Sequence, residues 1–180
     1  MALPAERWAP AGFLVTIPET LPCGPVSDLS PRPRVPADTA TPEPETTTLH
    51  LRASHLDEMI AHCLGAYPEE GCGLLTGDPG TNTVRRVDPT RNAAASAQVY
   101  TVDPRDYLRI DRAAAAEGLE VIGVFHSHTH TDPYPSPTDI AQAPDPSWHY
   151  VLVSLRHEVA SVRSYLIVSG LPVEESVEVH

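Results

Sequence analysis

The residues best placed to do chemistry lie in one run, His126-Ser127-His128-Thr129-His130-Thr131-Asp132-Pro133-Tyr134-Pro135-Ser136-Pro137-Thr138-Asp139. It follows the continuous apolar stretch Val121 to Phe125, which reads as a buried strand. In a strand, residues two apart project from one face, so His126 and His128 can offer two imidazoles to one point. Two neutral imidazoles plus one carboxylate make a three-ligand set that leaves a tetrahedral position open for water, as catalytic zinc requires. Pro133, Pro135 and Pro137 cannot continue the strand, and the chain's return can bring Ser136 and Asp139 beside the two histidines. His130 continues the period-two series, and a third imidazole could replace Asp139 if the strand ran that far. The Thr-Asp-Pro that follows favours a chain already leaving the sheet, with His130 on a loop where it can touch substrate or metal. Each residue also has a plainer reading. An isolated His-x-His pair suits a surface position, Ser136 before Pro137 suits a helix N-cap, and Glu69 and Glu70 alone would be solvated turn charges.

The elements that must position these residues follow from periodicity and punctuation. Ser54 and Asp57 form an N-cap signal for a helix carrying Leu56, Met59, Ile60, Cys63 and Leu64 at helical spacing up to Gly65. Cys72 to Thr76 and Val84 to Val87 read as a hairpin across the turn-like Asp78-Pro79-Gly80. Asp103 before Pro104 starts a second helix that runs through the alanine block to Gly118. Tyr150 to Leu155 and Val162 to Val168 are two further strands, with a short last one around Val173 to Val177. Strands and helices mix without βαβ alternation, which points to an α+β fold with a mixed sheet flanked by helices.

Composition sets the outer limits. Of 20 prolines, ten fall before residue 46, so residues 1–46 read as an extended or disordered arm and residues 47–180 as the folded unit. The net charge is −12 and all 12 basic residues are Arg without a cluster, which disfavours nucleic acid as a partner. The apolar run Ala11 to Ile17 is about half the length of a secretory core, and no span of about 20 apolar residues exists to cross a membrane. Three cysteines, Cys23, Cys63 and Cys72, show no C-x-x-C spacing and suggest neither a disulfide framework nor a thiolate zinc site. A cytoplasmic protein is the simplest expectation. Cys63 and Cys72 read as small buried hydrophobes. His50, His55, His62, His149, His157 and His180 read as structural or solvated.

The spacing His-Ser-His, seven residues, Ser, two residues, Asp, met at His126, His128, Ser136 and Asp139, resembles the JAMM motif of MPN+ metallopeptidases. The segment Pro68-Glu69-Glu70-Gly71-Cys72-Gly73 is similar to that family's Pro-x-Glu-x-Cys-Gly, and this match selects Glu70 over Glu69. The resemblance runs from about Leu49 onward and includes Asn92, Tyr134-Pro135-Ser136, His149 to Val153 and Arg163-Ser164-Tyr165. It is most similar to bacterial Mec-type enzymes, which trim the C-terminal tail of ubiquitin-like sulfur-carrier proteins such as CysO.

The resemblance implies a mixed, curved β-sheet flanked by helices, of the MPN/JAB1, cytidine-deaminase-like type. It implies Zn2+ on His126, His128 and Asp139, with Glu70 as general base and then acid, and Ser136 as hydrogen-bond donor to the oxyanion. The implied reaction is hydrolysis of a peptide or isopeptide bond at a carrier tail, possible adducts including a carrier-cysteine. Two other classes stand beside it: a non-catalytic MPN-type binding module, which normally lacks metal residues that are all present here, and a zinc hydrolase acting on a small-molecule amide. A metallo-β-lactamase run fails, because His130 and Asp132 stand where Asp-His would be needed.

Overall fold

The computed structural model describes residues 47–180; the arm expected over residues 1–46, with Cys23, lies outside them. The order is β1 (Thr48–Leu51), α1 (Ala53–Ala66), β2 (Cys72–Gly77), β3 (Val84–Thr90), α2 (Pro104–Ala116), β4 (Glu120–His128), α3 (Pro137–Gln142), β5 (His149–Ser154), β6 (Ser161–Val168) and β7 (Leu171–Val179). The strands form one seven-stranded sheet in the order β1-β7-β6-β5-β4-β2-β3. β1 runs parallel to β7 and β4 parallel to β5, while the other neighbours are antiparallel. The sheet curls until its edges nearly meet, because His50 of β1 bridges Thr83 and donates its N–H to the Asn82 carbonyl at 2.8 Å. Near-closure of this kind leaves little free edge for unwanted pairing.

Both faces of the sheet are covered, which is why β2 and β5 are buried at every position. One face gathers Leu75, Phe125, Val151 and Val153 against Met59 and Cys63 of α1. The other gathers Leu74, Val124, Tyr150 and Ile167 against Ile110 of α2, with Tyr107 and Ile140 packed around them. Each such side chain contributes roughly 1.5–3 kcal/mol by leaving water. The strand period sorts Val124, His126 and His128 onto the α2 and α3 face and Phe125 onto the other.

The helix signals hold with one correction. Asp103 caps α2 by accepting from the Arg105 N–H at 2.9 Å, and Gly118 beyond its end takes φ +73°, a left-handed conformation that glycine adopts without strain. α1 begins two residues earlier than Ser54 suggested, at Ala53, with Arg52 in the cap position and its N–H turned to His55 Nδ1 at 3.3 Å. Buried His55 supplies the local acceptor, so Ser54 sits inside the first turn. Among the described residues no helix is long and apolar enough to cross a membrane.

Candidate active site

β4 carries His126 and His128 to its last residues, and both are buried. The chain then turns through Pro133 and Pro135 and re-enters the fold as α3. Ser136 is the N-cap of that helix and Asp139 its third residue, and the two form a reciprocal box: Ser136 Oγ accepts the Asp139 N–H at 3.2 Å, and Asp139 Oδ2 accepts the Ser136 N–H at 2.7 Å. The box fixes the carboxylate so that Oδ2 lies 3.5 Å from His126 Nε2 and 3.5 Å from His128 Nε2. The two imidazole nitrogens are themselves 3.3 Å apart. His126, His128 and Asp139 are thus the residues brought together, with one potential ligand atom each.

The triangle can be tested against a metal by its size and donor chemistry. A tetrahedral ion with ligands at about 2.0–2.1 Å separates ligand atoms by about 3.4 Å, close to all three observed edges. His128 Nδ1 meets the Asp132 carbonyl at 2.9 Å; a carbonyl only accepts, so Nδ1 holds the proton and Nε2 points a lone pair into the triangle. Thr131 Oγ1 lies 3.0 Å from the same Nδ1, and Ser154 Oγ holds the Thr131 carbonyl at 2.6 Å. Among the described residues His126 Nδ1 has no hydrogen-bond partner, while its Nε2 faces His128 and Asp139. Burial keeps His126 below the usual imidazole range. Burial acts to raise the Asp139 carboxyl, but its contacts with His126, His128 and the Ser136 cap outweigh it and hold the group well below the ordinary carboxylate range. A neutral imidazole, a lone-pair-directed imidazole and an anionic carboxylate are the donors a zinc ion takes.

Glu70 stands at the turn into β2, buried at 4% exposure, whereas Glu69 is exposed. Burial pushes its carboxyl up to about 7, with His128 opposing and Asp139 adding to the push. Gly71 must follow it, because a Cβ there would lie 2.8 Å from the Cys63 Cα of α1. Glu70, His128 and Ser136 line one cleft of about 270 Å3 together with Ala97, Gln98, Thr129, His130 and Thr131. His130 lies outside the triangle. It is exposed, and its ring meets Tyr67 edge-on at 6.3 Å.

Two residues essential to this geometry had no role assigned from the sequence. Asn92 is buried, and its Nδ2 donates to the carbonyls of Glu70, Ser96 and Val99 while its Oδ1 accepts from Ala94 and Thr101 N–H groups. An asparagine after a strand is the available signal, since its amide can satisfy a loop that has no ladder. Tyr100 lies flat on His126, with centroids 4.2 Å apart and planes 19° apart. Its ring also walls an adjoining, largely apolar cavity of about 430 Å3 lined by Leu74, Tyr107, Val124 and Trp148, which holds none of the triangle's residues.

Residues 52–168 match the family model described as prokaryotic homologs of the JAB domain. The chain is 40% identical over 135 residues to the CysO-cysteine peptidase of Mycobacterium tuberculosis, covering 73% of this chain and 90% of that one. It is 35% identical over 114 residues to the desampylase of Haloferax volcanii, covering 61% of this chain and 82% of that one. The solution structure of a Desulfitobacterium hafniense protein, 33% identical, matches with a TM-score of 0.68 over 73% of this chain and 92% of that one. With the matched fold and the His-His-Asp spacing intact, the chain belongs to the prokaryotic JAB-domain family and is a hydrolase of the JAMM type.

Proposed function

We propose that this chain hydrolyses, in a zinc-dependent reaction, a peptide or isopeptide bond at the C-terminal tail of a ubiquitin-like or sulfur-carrier protein, a carrier-cysteine adduct being the first candidate. The observation that carries this is the triangle of His126 Nε2, His128 Nε2 and Asp139 Oδ2, with edges of 3.3 to 3.5 Å. Relatives named for a CysO-cysteine adduct and for desampylation support the substrate class. Held by these three side chains, zinc would supply Lewis acidity, polarising the scissile carbonyl and bringing the pKa of bound water toward about 7.

The chain's own groups do the rest. Glu70 takes a proton from the attacking water and passes it to the leaving amine nitrogen as the C–N bond breaks; a carboxyl poised near neutral pH suits both transfers. Ser136 Oγ already accepts from the Asp139 N–H, so its hydroxyl proton is free to meet the carbonyl oxygen as negative charge develops there. The cleft is too small for a folded domain and suits a few residues of extended chain. Cys63 and Cys72 are free buried thiols, in keeping with a reducing, cytoplasmic setting.

Mass spectrometry of a carrier-cysteine fusion tests the proposal. Zinc-loaded protein shortens the fusion by one cysteine and leaves a free carboxylate on the tail, and Glu70→Gln does not. Turnover of small-molecule amides alone, with every carrier fusion left intact, would contradict it.

A further inference from the structure

The seam between β1 and β7 holds a second set of metal-ligating side chains that the proposed hydrolysis does not use. The parallel register places His50 beside Glu178. His180 follows two residues later, on the same face as Glu178, and its N–H is held by the Leu51 carbonyl at 3.0 Å. His50 Nδ1 lies 3.0 Å from Glu178 Oε2, and His180 Nε2 lies 3.9 Å from the same oxygen. One ligand atom from each of the three falls within 4.8 Å of the others. The imidazoles stack with planes 13° apart and centroids 5.8 Å apart.

Arg52 and Arg85 share this shallow cleft and would repel a cation if their charges faced it. Arg85 is instead paired with Asp78 at 2.7 Å, and Arg52 Nη2 donates to the Arg85 carbonyl at 3.2 Å.

We propose that His50, Glu178 and His180 form a second, surface site for a borderline divalent cation, zinc or nickel, through two imidazole nitrogens and one carboxylate oxygen. This donor set suits such ions and gives little to calcium or magnesium, which take oxygen ligands. Solvent completes the shell, since the side chains are 38, 59 and 63% exposed. The site therefore binds more weakly than the buried triangle. It ties β1 to its neighbour β7, beside the point where β1 bridges Thr83, so occupancy stabilises this strand pair, because only the folded chain assembles the three ligands.

The test is zinc titration of the tag-free, metal-stripped full chain by equilibrium dialysis, with melting temperature followed in parallel and nickel as a second probe. Wild type is expected to bind two equivalents of zinc of unequal affinity. His180→Ala and the conservative Glu178→Gln should weaken the lower-affinity class at least tenfold and remove its share of the zinc-dependent rise in melting temperature. Both should leave the hydrolytic rate unchanged. Asp139→Ala should keep that weaker class, which separates this site from the proposed active-site metal. Zinc binding by both His180→Ala and Glu178→Gln that matches wild type in number and affinity would overturn the proposal. So would the absence of a second equivalent in wild type.

Discussion

Asn92 Nδ2 donates to the carbonyl of Glu70 at 3.0 Å, tying the loop after β3 to the backbone of the proposed base. The same amide holds four further backbone groups, so its removal strands buried donors and acceptors at once. Asn92→Ala should cost about 2–4 kcal/mol in urea-unfolding stability, and the hydrolytic rate should fall further than zinc affinity does. Equal loss in both would place Asn92 at the metal instead.

Glu70→Gln removes a proton acceptor and changes little in shape. The rate should drop by about 10²–10⁴ while bound zinc stays at the wild-type level. Zinc content by emission spectroscopy beside single-turnover rates distinguishes this from loss of metal.

The same carboxyl makes stability depend on pH in the chelator-stripped protein. Burial raises its folded-state value to about 7 from an ordinary 4.5, so between these values the folded chain holds a proton that the unfolded chain has released. Stability from this group therefore falls as pH rises through that window, and the full penalty is present above it. Glu70→Gln lacks the titration, so its stability relative to wild type should grow by about 2–3 kcal/mol from pH 4 to pH 8. Parallel curves for the two proteins would show that Glu70 does not ionise inside the fold.

Ser136 has two jobs that different measurements separate. Loss of the cap in Ser136→Ala should cost about 1 kcal/mol of stability, and loss of the hydroxyl proton about 10²–10³ in rate. Ser136→Thr should restore both. A rate loss no larger than the stability loss explains would leave the residue as a cap alone.

Burial pushes the Cys63 thiol up to about 12 and raises Cys72 as well. In a Cys23→Ser background, thiol reagents should label the native protein at the rate of unfolding, with no fast phase and no loss of activity. Rapid labelling coupled to inactivation would point to thiol chemistry.

Much of the fold was legible because it rests on local signals: helical spacing in Met59 and Cys63, the Asp103-Pro104 cap, and unbroken apolar runs in β2, β4 and β5. β7 was read only as Val173 to Val177, because Pro172 and the exposed Glu178 sit near the ends of its nine residues, while Glu175 faces inward at its centre. Its partners are distant in sequence: His149 Nδ1 at 2.7 Å and Ser164 Oγ at 2.6 Å, both on other strands. β1 is four residues long and exists by pairing with β7, which no local pattern announces. The histidine pair could be located because a strand's period acts over a few residues, and Ser136 and Asp139 through their spacing in the resembled motif; the capping box that fixes them became visible only in the structure. Tyr100 on His126 could not, since that contact depends on where a loop lands.

Zinc absorption spectroscopy on the protein with His180 replaced by Ala, to silence the seam, addresses the metal centre most directly. One zinc should be seen with two imidazole nitrogens and two oxygens at about 2.0–2.1 Å, and binding should be lost in His126→Ala, His128→Ala and Asp139→Ala alike. A zinc shell lacking imidazole, or undiminished binding after Asp139→Ala, would contradict a catalytic metal held by these three side chains.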